Sequence, residues 1–472
     1  MWINGAEVSS AGRDTLAVVN PATEEQIGSV VRGTPADAEA AARAAADAFP
    51  RWRRSAPAIR AALLREIADR LAAHRAELAD LLVAEQGKPR RDNESEIDSA
   101  IELFTYYSGF AWRDRGAVNP AEDKVLDFVL REPVGPVACI VPWNFPIMLM
   151  ARKVAPALAA GCTVVVKPSE ETPLATLLFA RVVADHLPPG VLNVVTGYGS
   201  EVGEPLVHDP RIRHIAFTGS TATGRRIASS AAAAMKGTTL ELGGKDPLII
   251  GPDADLETAV PAVAFAGLLN AGQCCTSTER IYVAQPLLKD FLEALVDHVR
   301  GIDVGDGARA GTVMGPLIRE DARRRVGEHV TEAVAAGAKV LTGGGVPPGL
   351  DRGWFYEPTV VVDVPDSARL LREETFGPVL PVAGFASVDE AIARANDTAY
   401  GLGATVLSND PGFVKRCIDG LDVGNVFVND PLTAATATTF GGTKMSGMGR
   451  ELGVEGFEAF RESKHVHWMF TR

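Results

Sequence analysis

Residues 163–242 alternate between short runs rich in β-branched residues and longer runs with helical spacing. The pattern predicts, in chain order, a strand at 163–167, a helix at 173–186, strands at 191–195 and 212–218, a helix at 221–234 and a strand at 238–242. Such alternation predicts a parallel, doubly wound sheet, because consecutive parallel strands need a crossover that a helix normally supplies. Ligands of these sheets bind in a crevice beyond the carboxyl ends of the strands.

A second alternation begins after Gly243 and Gly244. It predicts a strand at 246–250, a helix at 256–270 and further strands, separated by helices, at 281–283, 339–342, 359–362, 379–384 and 405–407. We therefore expect a second α/β domain. Because no low-complexity linker interrupts the chain, the two domains should be tightly docked.

The segments outside the two alternations are predicted to be helical or extended. Helical spacing covers residues 36–48, 57–86 and 94–107, and residues 124–140 are strand-like. Residues 116–135 and 457–472 are extended or mixed. Two interpretations stay open for this last pair of segments: arms that join another subunit, or edge strands of the monomer.

The charge balance limits the class of partner. The chain has 472 residues, with 47 Lys and Arg against 60 Asp and Glu, which gives a formal net charge of −13. Because an excess of negative charge repels phosphate backbones and anionic lipid, nucleic acid and membranes are not expected partners. An anionic cofactor is not excluded, since its binding depends on local dipoles and a few cations.

The cysteines and the start of the chain favour a reducing compartment. Five cysteines, of which Cys274 and Cys275 are adjacent, do not form a disulfide framework in a chain of this length. No basic segment followed by an apolar run opens the sequence, so we expect a cytoplasmic location. The uncharged stretch 133–151 contains four prolines, which favours a buried strand and a turn over a membrane-spanning helix.

Three side chains with chemical potential stand in apolar surroundings. Cys275 follows a predicted helix and is either a buried thiol or a nucleophile at a turn. Glu241 ends a predicted strand and is either paired with Lys245 or a general base whose pKa is raised by burial. Asn144 lies within residues 142–146, where its amide either stabilises a turn or donates to an oxyanion.

Two further segments have the character of nucleotide-binding turns. Residues 217–225 follow a strand and open a helix, so backbone amides and the helix dipole would attract a pyrophosphate. Their glycine spacing is not the Gly-x-Gly-x-x-Gly fingerprint. Lys167 and Glu170 close another strand, where they either hold two ribose hydroxyls or form a solvated turn.

Seven segments, in this order along the chain, resemble the signature segments of the aldehyde dehydrogenase superfamily, and the resemblance extends over about residues 3–466. They are Pro142-Trp143-Asn144-Phe145-Pro146, Lys167-Pro168-Ser169-Glu170, Phe217-Thr218-Gly219-Ser220, Glu241-Leu242-Gly243-Gly244-Lys245, Gly272-Gln273-Cys274-Cys275, Glu373-Glu374-Thr375-Phe376-Gly377-Pro378 and Lys444-Met445-Ser446-Gly447-Met448-Gly449-Arg450-Glu451. Chance does not account for all seven in family order.

The resemblance implies an α/β fold of the aldehyde dehydrogenase type, divided into a Rossmann-type cofactor domain, a second α/β catalytic domain and a small β oligomerisation arm. The implied bounds are 1–115 and 136–243 for the NAD(P)-binding domain, 244–443 for the catalytic domain, 116–135 and 457–472 for the arm, and 444–456 for a segment that returns to the cofactor domain. Self-association into a homodimer or homotetramer is also implied.

The chemistry implied by the resemblance is NAD(P)+-dependent oxidation of an aldehyde to a carboxylate, without a metal. The thiolate of Cys275 would attack the aldehyde carbon, and the side-chain amide of Asn144, with the Cys275 backbone N–H, would hold the oxyanion. After hydride has passed to the nicotinamide, Glu241 would activate the water that hydrolyses the thioester.

The resemblance also implies a set of cofactor-binding residues. They are Pro142, Trp143, Lys167, Ser169, Glu170, Gly219, Ser220, Gly224, Leu242, Glu374 and Phe376. Lys167 and Glu170 would meet the adenosine ribose, and Glu374 the nicotinamide ribose. Because the Glu170 carboxylate repels a 2′-phosphate, NAD+ is favoured, while the small Ser169 and the cationic Lys167 allow NADP+.

The substrate-contacting residues implied by the resemblance are Phe145, Arg152, Thr276 and Thr433. Relatives that oxidise succinate semialdehyde or lactaldehyde carry Arg at the position of Arg152, where it would pair with a substrate carboxylate or hydroxyl. A structural ion pair is the alternative role. Leu269 replaces a second Arg that semialdehyde enzymes often have. We expect a small polar or anionic aldehyde, with broad-range aliphatic or aromatic aldehydes as the alternative.

Three other functions are weighed against aldehyde oxidation by water. They are transfer of the acyl group to coenzyme A, a non-catalytic structural or binding role on the same fold, and nucleic-acid binding. Glu241 argues against the first, because acyl transfer to coenzyme A does not need a base for water. The joint presence of Cys275, Glu241 and Asn144 argues against the second, and the net charge argues against the third.

Overall fold

The computed structural model describes residues 1–113, 115–432 and 434–470. The helices are α1 (Pro35–Trp52), α2 (Pro57–Ala73), α3 (Arg75–Gln86), α4 (Arg90–Phe110), α5 (Pro146–Ala160), α6 (Leu174–Val183), α7 (Glu204–His208), α8 (Thr221–Ala233), α9 (Leu256–Leu268), α10 (Leu288–Arg300), α11 (Glu320–Ala335), α12 (Arg369–Arg372), α13 (Val388–Asn396), α14 (Pro411–Gly420) and α15 (Gly453–Glu458). The strands are β1 (Trp2–Ile3), β2 (Ala6–Glu7), β3 (Thr15–Val19), β4 (Gln26–Val31), β5 (Ala117–Asn119), β6 (Val125–Pro133), β7 (Val137–Ile140), β8 (Val164–Lys167), β9 (Leu192–Val194), β10 (His214–Thr218), β11 (Gly237–Glu241), β12 (Asp246–Ile250), β13 (Thr278–Ala284), β14 (Lys339–Thr342), β15 (Thr359–Val362), β16 (Val379–Phe385), β17 (Gly403–Leu407), β18 (Asn425–Val428), β19 (Gly447–Met448) and β20 (Arg461–Met469).

The first sheet has the strand order β19-β11-β10-β7-β8-β9-β1-β2. Its central strands, from β11 to β9, are parallel, and the edge strands β19, β1 and β2 are antiparallel to their neighbours. The carboxyl ends of the central strands therefore lie side by side, at Ile140, Lys167, Thr218 and Glu241. This arrangement confirms the predicted doubly wound sheet and aligns the segments predicted to carry chemistry.

Helices cover both faces of the first sheet, as the alternation of side chains along β8 illustrates. Val164 and Val166 belong to an apolar core shared with α2, α4, α5 and α6, whereas Val165 belongs to a core shared with α1, α7 and α8. All residues of β8 are buried. Because successive side chains of a strand point to opposite faces, a strand covered on both sides must be apolar throughout.

The second sheet has the order β14-β15-β16-β13-β12-β17-β18. All its strands are parallel except β14, which pairs antiparallel with β15. Leu248 and Ile250 of β12 face one apolar core, and Ile249 faces another. The sheet is therefore also covered on both faces, which confirms the second α/β unit predicted from the sequence.

The chain returns from the second sheet to the first through residues 443–458. Strand β19 pairs with β11, and the backbone N–H of Leu242 donates to Ser446 O at 3.0 Å. A Cβ atom on Gly447 would lie 2.0 Å from Leu240 O, so this approach requires glycine. The return segment thus completes the edge of the first sheet next to Glu241.

A separate sheet has the order β20-β6-β5. Strand β20 pairs antiparallel with β6 along its whole length, from Arg461 opposite Pro133 to Met469 opposite Val125. Several large apolar side chains of this sheet and its end are exposed; they are Val118, Leu130, Trp468, Met469 and Phe470. The segments predicted to be extended arms therefore pair with each other and present apolar surface.

Local backbone constraints explain where the structure departs from the predicted elements. The predicted helix 57–86 is divided at His74, whose φ of −104° and ψ of 15° are not helical. The predicted strand 124–140 is interrupted between β6 and β7, since Gly135 has a φ of 133° and Pro136 has no N–H to donate. The short strands β1 to β4 and β18 were not predicted, because their runs are too brief or too polar to give a clear alternation.

No helix in the described ranges combines the length and the apolar character that crossing a membrane requires. The uncharged stretch 133–151 instead extends from the end of β6 through β7 into α5, with a turn between β7 and α5. The predicted buried strand followed by a turn is therefore what this stretch forms.

Candidate active site

A cavity of about 170 Å³ lies where the carboxyl ends of the first sheet face the segments that lead into β13 and β16 of the second. Its lining residues are Pro142, Trp143, Asn144, Thr218, Gly219, Ser220, Glu241, Leu242, Gly243, Cys275, Ile318, Arg319, Ala322, Arg325, Glu374 and Phe376. The residues predicted to be catalytic, and most of those predicted to hold a cofactor, therefore border one space between the two sheets.

Cys275 lies in the turn between α9 and β13, and this turn is strained. Asn270 (φ 54°, ψ 36°), Ala271 (φ 55°, ψ 37°) and Gly272 (φ 72°) are all in the left-handed region. A non-glycine residue there costs on the order of 1–3 kcal/mol, which surrounding contacts must offset. A Cβ atom on Gly272 would lie 2.2 Å from Gly377 O, so the nucleophile turn packs backbone against backbone on the 373–378 segment.

The buried side chain of Gln273 holds this turn in place. Its amide donates to Asn270 O at 2.9 Å and to Pro316 O at 3.3 Å, and its carbonyl accepts from the backbone N–H of Ile318 at 2.9 Å. Gln273 is fully buried. Its hydrogen bonds therefore fix the position of the cysteine that follows two residues later.

Asn144 follows β7 and is buried beside the same turn. Its side-chain Nδ2 donates to Gln273 O at 3.0 Å, and its main-chain O accepts from Lys88 Nζ at 2.8 Å and from Asn270 Nδ2 at 3.2 Å. A carboxamide has two N–H donors. Asn144 therefore retains a second donor on the side chain that borders the cavity near Cys275.

A buried ion pair supports Asn144 from beneath. Lys88 Nζ lies 2.5 Å from Glu96 Oε2, and both side chains are fully buried. Glu96 Oε1 accepts from the backbone N–H groups of Ile147 and Met148, in the first turn of α5. Since a carboxylate at a helix N-terminus is favourable, Glu96 anchors the start of the helix that follows Asn144.

Glu241 is buried at the end of β11, and among the described residues only the Cys275 thiol lies close enough to act as a hydrogen-bonding neighbour of its carboxyl group. Burial raises the pKa of Glu241 to about 7, although the nearby Cys275 thiol acts in the opposite sense. Lys245, the alternative partner suggested by the sequence, pairs instead with Glu279. A carboxylate in this setting exchanges protons near neutral pH.

Cys275 is partly buried and its thiol lies close to Cys274 and Glu241. The contact with the Cys274 sulfur, burial and the negative charge of Glu241 all raise the pKa of the Cys275 thiol. The Cys274 sulfur also lies 3.4 Å from Thr276 Oγ1. Cys275 is therefore protonated in this arrangement and needs a base before it can act as a nucleophile.

The 373–378 segment is held by Glu279. Both carboxyl oxygens of Glu279 accept from the backbone N–H of Thr375, at 3.1 and 2.8 Å, and one accepts from Phe376 N at 2.9 Å. The Phe376 ring then packs edge to face on Trp143, with 5.5 Å between centroids. These contacts connect the segment before β16 to the segment after β7 across the cavity.

Glu374 projects from the same segment and accepts from the backbone N–H of Gly244 at 3.1 Å. Burial, with the charge of Glu279, raises the pKa of Glu374 to about 8. A Cβ atom on Gly243 would lie 2.7 Å from the Glu374 carboxyl group, so a larger residue there would displace this side chain from its present position. Glu374 thus lies at the cavity wall, and its second carboxyl oxygen does not take part in the hydrogen bond with Gly244.

The N-terminus of α8 forms another part of the wall. Ser220 caps the helix by accepting from Thr223 N at 3.3 Å, and Gly219 N donates to Glu241 O at 3.1 Å. Gly224 does not line the cavity: a Cβ atom there would lie 2.3 Å from Leu242 Cδ2, so its place is the contact between α8 and the end of β11. The helix N-terminus at Ser220 remains available to an anion.

The predicted ribose-binding residues lie at the end of β8, outside the cavity lining. Lys167 Nζ and Glu170 Oε2 are 3.1 Å apart, and the Glu170 side chain is 35% exposed. Ser169 Oγ accepts from Glu171 N at 3.3 Å. Glu171 pairs with Arg319, 3.1 Å away, at the start of α11. Of this pair, Glu170 is accessible beside the crevice, whereas Lys167 is buried beneath it.

The predicted substrate residues are differently placed. Arg152, on α5, is 8% exposed, and its guanidinium lies 4.8 Å from the Phe440 ring centroid. No acidic side chain within the described ranges pairs with it, so the alternative of a structural ion pair gains no support. Phe145 packs under Lys88, 4.2 Å from Nζ, and Thr276 faces Cys274. Thr433 lies outside the described residues.

The sequence matches the model of the aldehyde dehydrogenase family over residues 8–466. The chain belongs to this family. It is therefore an NAD(P)+-dependent aldehyde dehydrogenase, and the resemblance of the seven segments is confirmed.

The relatives of this aldehyde dehydrogenase cover nearly its whole length. Aminoaldehyde dehydrogenase 2 of Zea mays is 40% identical over 477 residues, which is 99% of this chain and 94% of the relative. The mitochondrial succinate-semialdehyde dehydrogenase of Arabidopsis thaliana is 41% identical, covering 98% of this chain and 88% of the relative. The crystal structure of betaine aldehyde dehydrogenase from Staphylococcus aureus in complex with NAD+ is 39% identical and has a TM-score of 0.97, covering 99% of this chain and 94% of that one.

Sequence reasoning missed two structural features near the candidate site. Arg319 and Arg325, at and near the start of α11, line the cavity but stand in no recognised segment. A second cavity of about 170 Å³ lies against α8; its lining includes Ile140, Val207, Phe217 and Ile227. The apolar spacing of α8 is the only sequence signal for this second cavity, because the residues that line the cavity come from segments far apart in the chain.

The close contact at Gly272 gives the first prediction. Gly272→Ala should lower the free energy of unfolding by about 1–3 kcal/mol, because the new Cβ meets Gly377 O and the backbone keeps a positive φ. Turnover should fall with it, since the turn carries Cys275. Urea unfolding and NADH formation measure the two effects.

Gly109→Ala is the matched control, because a Cβ atom at this position of α4 meets nothing within 4 Å. It should leave turnover unchanged and stabilise the helix by about 0.5–1 kcal/mol. Equal effects of the two substitutions would contradict the proposed role of the contact.

Proposed function

We propose that Cys275, Asn144 and Glu241 carry out the chemistry of this aldehyde dehydrogenase, as nucleophile, oxyanion donor and general base. The observation that carries the proposal is that these residues, from three distant segments, line one cavity. In the alternative structural roles, these three side chains would lie in a closed apolar core or have all their polar groups paired with neighbouring residues. Glu241 instead has no hydrogen-bonding neighbour among the described residues besides the Cys275 thiol.

The first step is addition of the Cys275 sulfur to the aldehyde carbon. Glu241 takes the thiol proton, since its raised pKa of about 7 lets it hold a proton at neutral pH. The sulfur forms a bond to carbon, and the carbonyl electron pair moves to oxygen. The free N–H of Asn144 donates to this oxyanion, a contribution on the order of 3 kcal/mol for one such donor.

The second step needs a hydride acceptor, which NAD(P)+ supplies when it is bound. The cavity fits such a group on structural grounds: the α8 N-terminus at Ser220 opens into it, and the cations of Arg319 and Arg325 line the opposite side. Trp143 and Phe376 offer an aromatic wall, and Glu374 offers a carboxyl group that can hydrogen-bond to ribose hydroxyls. The apolar cavity beyond α8 suits a flat adenine ring.

The last step is hydrolysis of the thioester on Cys275. Glu241 first passes the thiol proton to solvent, and it then accepts a proton from the water that adds to the acyl carbon. The carbon–sulfur bond breaks, the thiolate is regenerated, and the carboxylic acid loses its proton to solvent to give the carboxylate. Burial lets Glu241 act at neutral pH, where an ordinary carboxylate would be too weak a base. This role argues for water, not coenzyme A, as the acyl acceptor.

NAD+ is the proposed cofactor, with NADP+ tolerated. The support is the Lys167–Glu170 pair: the lysine is already neutralised at 3.1 Å, and the carboxylate would lie near a 2′-phosphate. An ionised carboxylate beside a phosphate is repulsive, whereas it accepts hydrogen bonds from two ribose hydroxyls.

The proposed substrate is a small aldehyde with a polar or anionic group. Arg152 supports this, since its guanidinium is nearly buried on α5 and has no acidic partner among the described residues. A buried cation gains most from an anionic or hydroxyl group and disfavours cationic aldehydes. Among the similar proteins, the succinate-semialdehyde enzyme fits this chemistry better than those named for amino or betaine aldehydes. Broad-range aliphatic or aromatic aldehydes are the alternative.

Self-association and a reducing, cytoplasmic environment complete the proposal. The exposed apolar side chains on the β20-β6-β5 sheet favour a homodimer or homotetramer formed through this arm. All five cysteines are free, which fits a reducing compartment.

The role of Glu241 predicts a pH dependence. Because the base must be ionised, kcat should rise with pH and reach half its limiting value near pH 7. Glu241→Gln should lose this limb and lower kcat by about 10²- to 10⁴-fold. Steady-state NADH formation from pH 5 to 9 measures both, with Cys275→Ala as the blank. An unchanged profile in Glu241→Gln would assign the base to another residue.

The role of Arg152 predicts discrimination by charge. Arg152→Ala should raise KM for succinate semialdehyde about 10- to 100-fold, the value of one charge-assisted hydrogen bond. KM for butyraldehyde, which has no carboxylate, should stay the same, and Arg152→Lys should recover part of the loss. The idea fails if the KM for the anionic aldehyde does not change and long aliphatic aldehydes prove the better substrates.

The Lys167–Glu170 pair predicts cofactor preference. The ratio of kcat/KM for NAD+ to that for NADP+ should exceed 1, and Glu170→Ala should lower it by removing the charge that faces a 2′-phosphate. Titration of each cofactor at a fixed aldehyde concentration measures the ratio. A much higher kcat/KM with NADP+ in the unaltered protein would overturn the preference.

A further inference from the structure

The sheet formed by β20, β6 and β5 carries three side chains with metal-binding atoms, away from the catalytic cavity. His465 and His467 are two residues apart on β20, so their side chains lie on the same face of the sheet. Asp127 of β6 is paired directly opposite His467. The strand register therefore brings two imidazoles and one carboxylate together on one surface.

The distances between these groups are close to those of a metal coordination shell. His465 Nε2 lies 3.0 Å from each Asp127 carboxyl oxygen, and His467 Nδ1 lies 3.2 Å from Oδ2. One ligand atom from each of the three residues can be chosen so that all lie within 4.8 Å of one another. A tetrahedral zinc ion with bonds of about 2.0–2.1 Å holds its ligand atoms about 3.4 Å apart. Only small side-chain rotations separate the observed cluster from such a shell.

The charge state of the cluster suits a cation. The Asp127 carboxyl group is hydrogen-bonded to His465, Asn119 and His467, so its oxygens already face groups of opposite polarity. Within the part of the chain that the structure describes, no lysine or arginine forms an ion pair with Asp127. Neighbouring cations on the arm are engaged elsewhere, Arg131 with Glu458 and Lys464 with Glu132. A divalent ion would not have to displace a fixed charge.

Asn119 of β5 completes the arrangement as an outer partner. Its Nδ2 donates to Asp127 Oδ1 at 3.1 Å, from the strand on the other side of β6. A ligating carboxylate is normally oriented by such a bond, and loss of the outer partner typically costs 10- to 100-fold in metal affinity. Asp127 is therefore positioned by one strand and presented to the histidines of another.

We propose that Asp127, His465 and His467 form a surface site for a divalent transition-metal ion of the zinc class. The two histidines bind as neutral imidazoles through Nε2 of His465 and Nδ1 of His467, each with its N–H on the other ring nitrogen, so that bonds to the ion replace the hydrogen bonds to Asp127. Three protein ligands leave at least one position for water. Because the ligands come from two strands, the ion would clamp the C-terminal strand β20 onto β6 and stabilise the arm.

Zinc binding to the purified full-length protein, without a histidine tag, tests the proposal. The measurements use the Cys275→Ala background, so that the catalytic sulfur does not contribute. Isothermal titration with Zn²⁺ should give one ion per chain that is lost in Asp127→Asn and in His465→Ala. His298→Ala, which removes an exposed histidine on α10, is the matched control and should retain the ion. Asn119→Ala should retain it with about tenfold weaker affinity.

A second variant separates metal binding from folding of the arm. His465→Gln can still donate a hydrogen bond to Asp127 but is a poor zinc ligand, so it should lose the ion without a change in thermal stability of the metal-free protein. Zinc should raise Tm of the background protein and not of this variant. The proposal is overturned if the background protein binds no zinc, or if His465→Gln and Asp127→Asn each bind zinc as tightly as the background protein does. The cluster is then only a set of histidine–aspartate hydrogen bonds. With Cys275 intact, His465→Gln should form NADH at the unaltered rate in metal-free buffer.

Discussion

The buried pair of Lys88 and Glu96 holds together the elements on which the active site depends. Each ion loses its hydration on burial, at a cost of several kcal/mol, which only close pairing and further hydrogen bonds can offset. Those bonds are used to position chemistry: Lys88 binds the main chain of Asn144, and Glu96 binds the first turn of α5. The Lys88–Glu96 ion pair thus fixes both Asn144 and the helix that carries Arg152. Without its hydrogen bonds to these two elements, burial of the pair would be unfavourable.

The same contact reaches the second domain through Asn270. Its side chain donates to Asn144 O and accepts from Gln86 Nε2, while its backbone takes up the left-handed conformation that begins the nucleophile turn. The strain of that turn is therefore offset by hydrogen bonds to a segment of the first domain. The positions of Cys275 and Asn144 therefore depend on each other. Such coupling suits the proposed reaction, because the sulfur must reach the carbonyl carbon while the Asn144 amide stabilises the carbonyl oxygen.

The sequence was sufficient for the parts of the molecule that follow local rules. The alternation of strands and helices predicted both sheets, because a strand covered on two faces must be apolar along its length. The resemblance placed Cys275, Glu241 and Asn144 in recognised segments, and the structure brings these segments to one cavity. Their individual catalytic roles stay predictions, as do the domain bounds. The resemblance to the family could be recognised from the sequence segments alone, without knowing how these segments contact one another in the fold.

Features that arise from contacts between residues far apart in the sequence could not be predicted in this way. The left-handed residues Asn270 and Ala271 lie where the helical pattern continues, and nothing local signals that the helix ends at Leu268. Arg319 and Arg325 resemble any charged helix start until the fold turns them toward the crevice. The close approach of Gly224 to Leu242 is another such contact, since it exists only after α8 packs on β11; the expected role of Gly224 in cofactor binding stays a prediction.

The long pairing of β20 with β6 also determines how the molecule tolerates shortening. The last strand is hydrogen-bonded over nine residues to a segment more than 300 positions earlier, so the C-terminal tail is part of the folded framework. Removing it would leave β6 with one open edge of unpaired backbone donors and acceptors, flanked by the apolar side chain of Leu130. Such an edge recruits strands from other chains, so truncated or nicked molecules would be prone to aggregate.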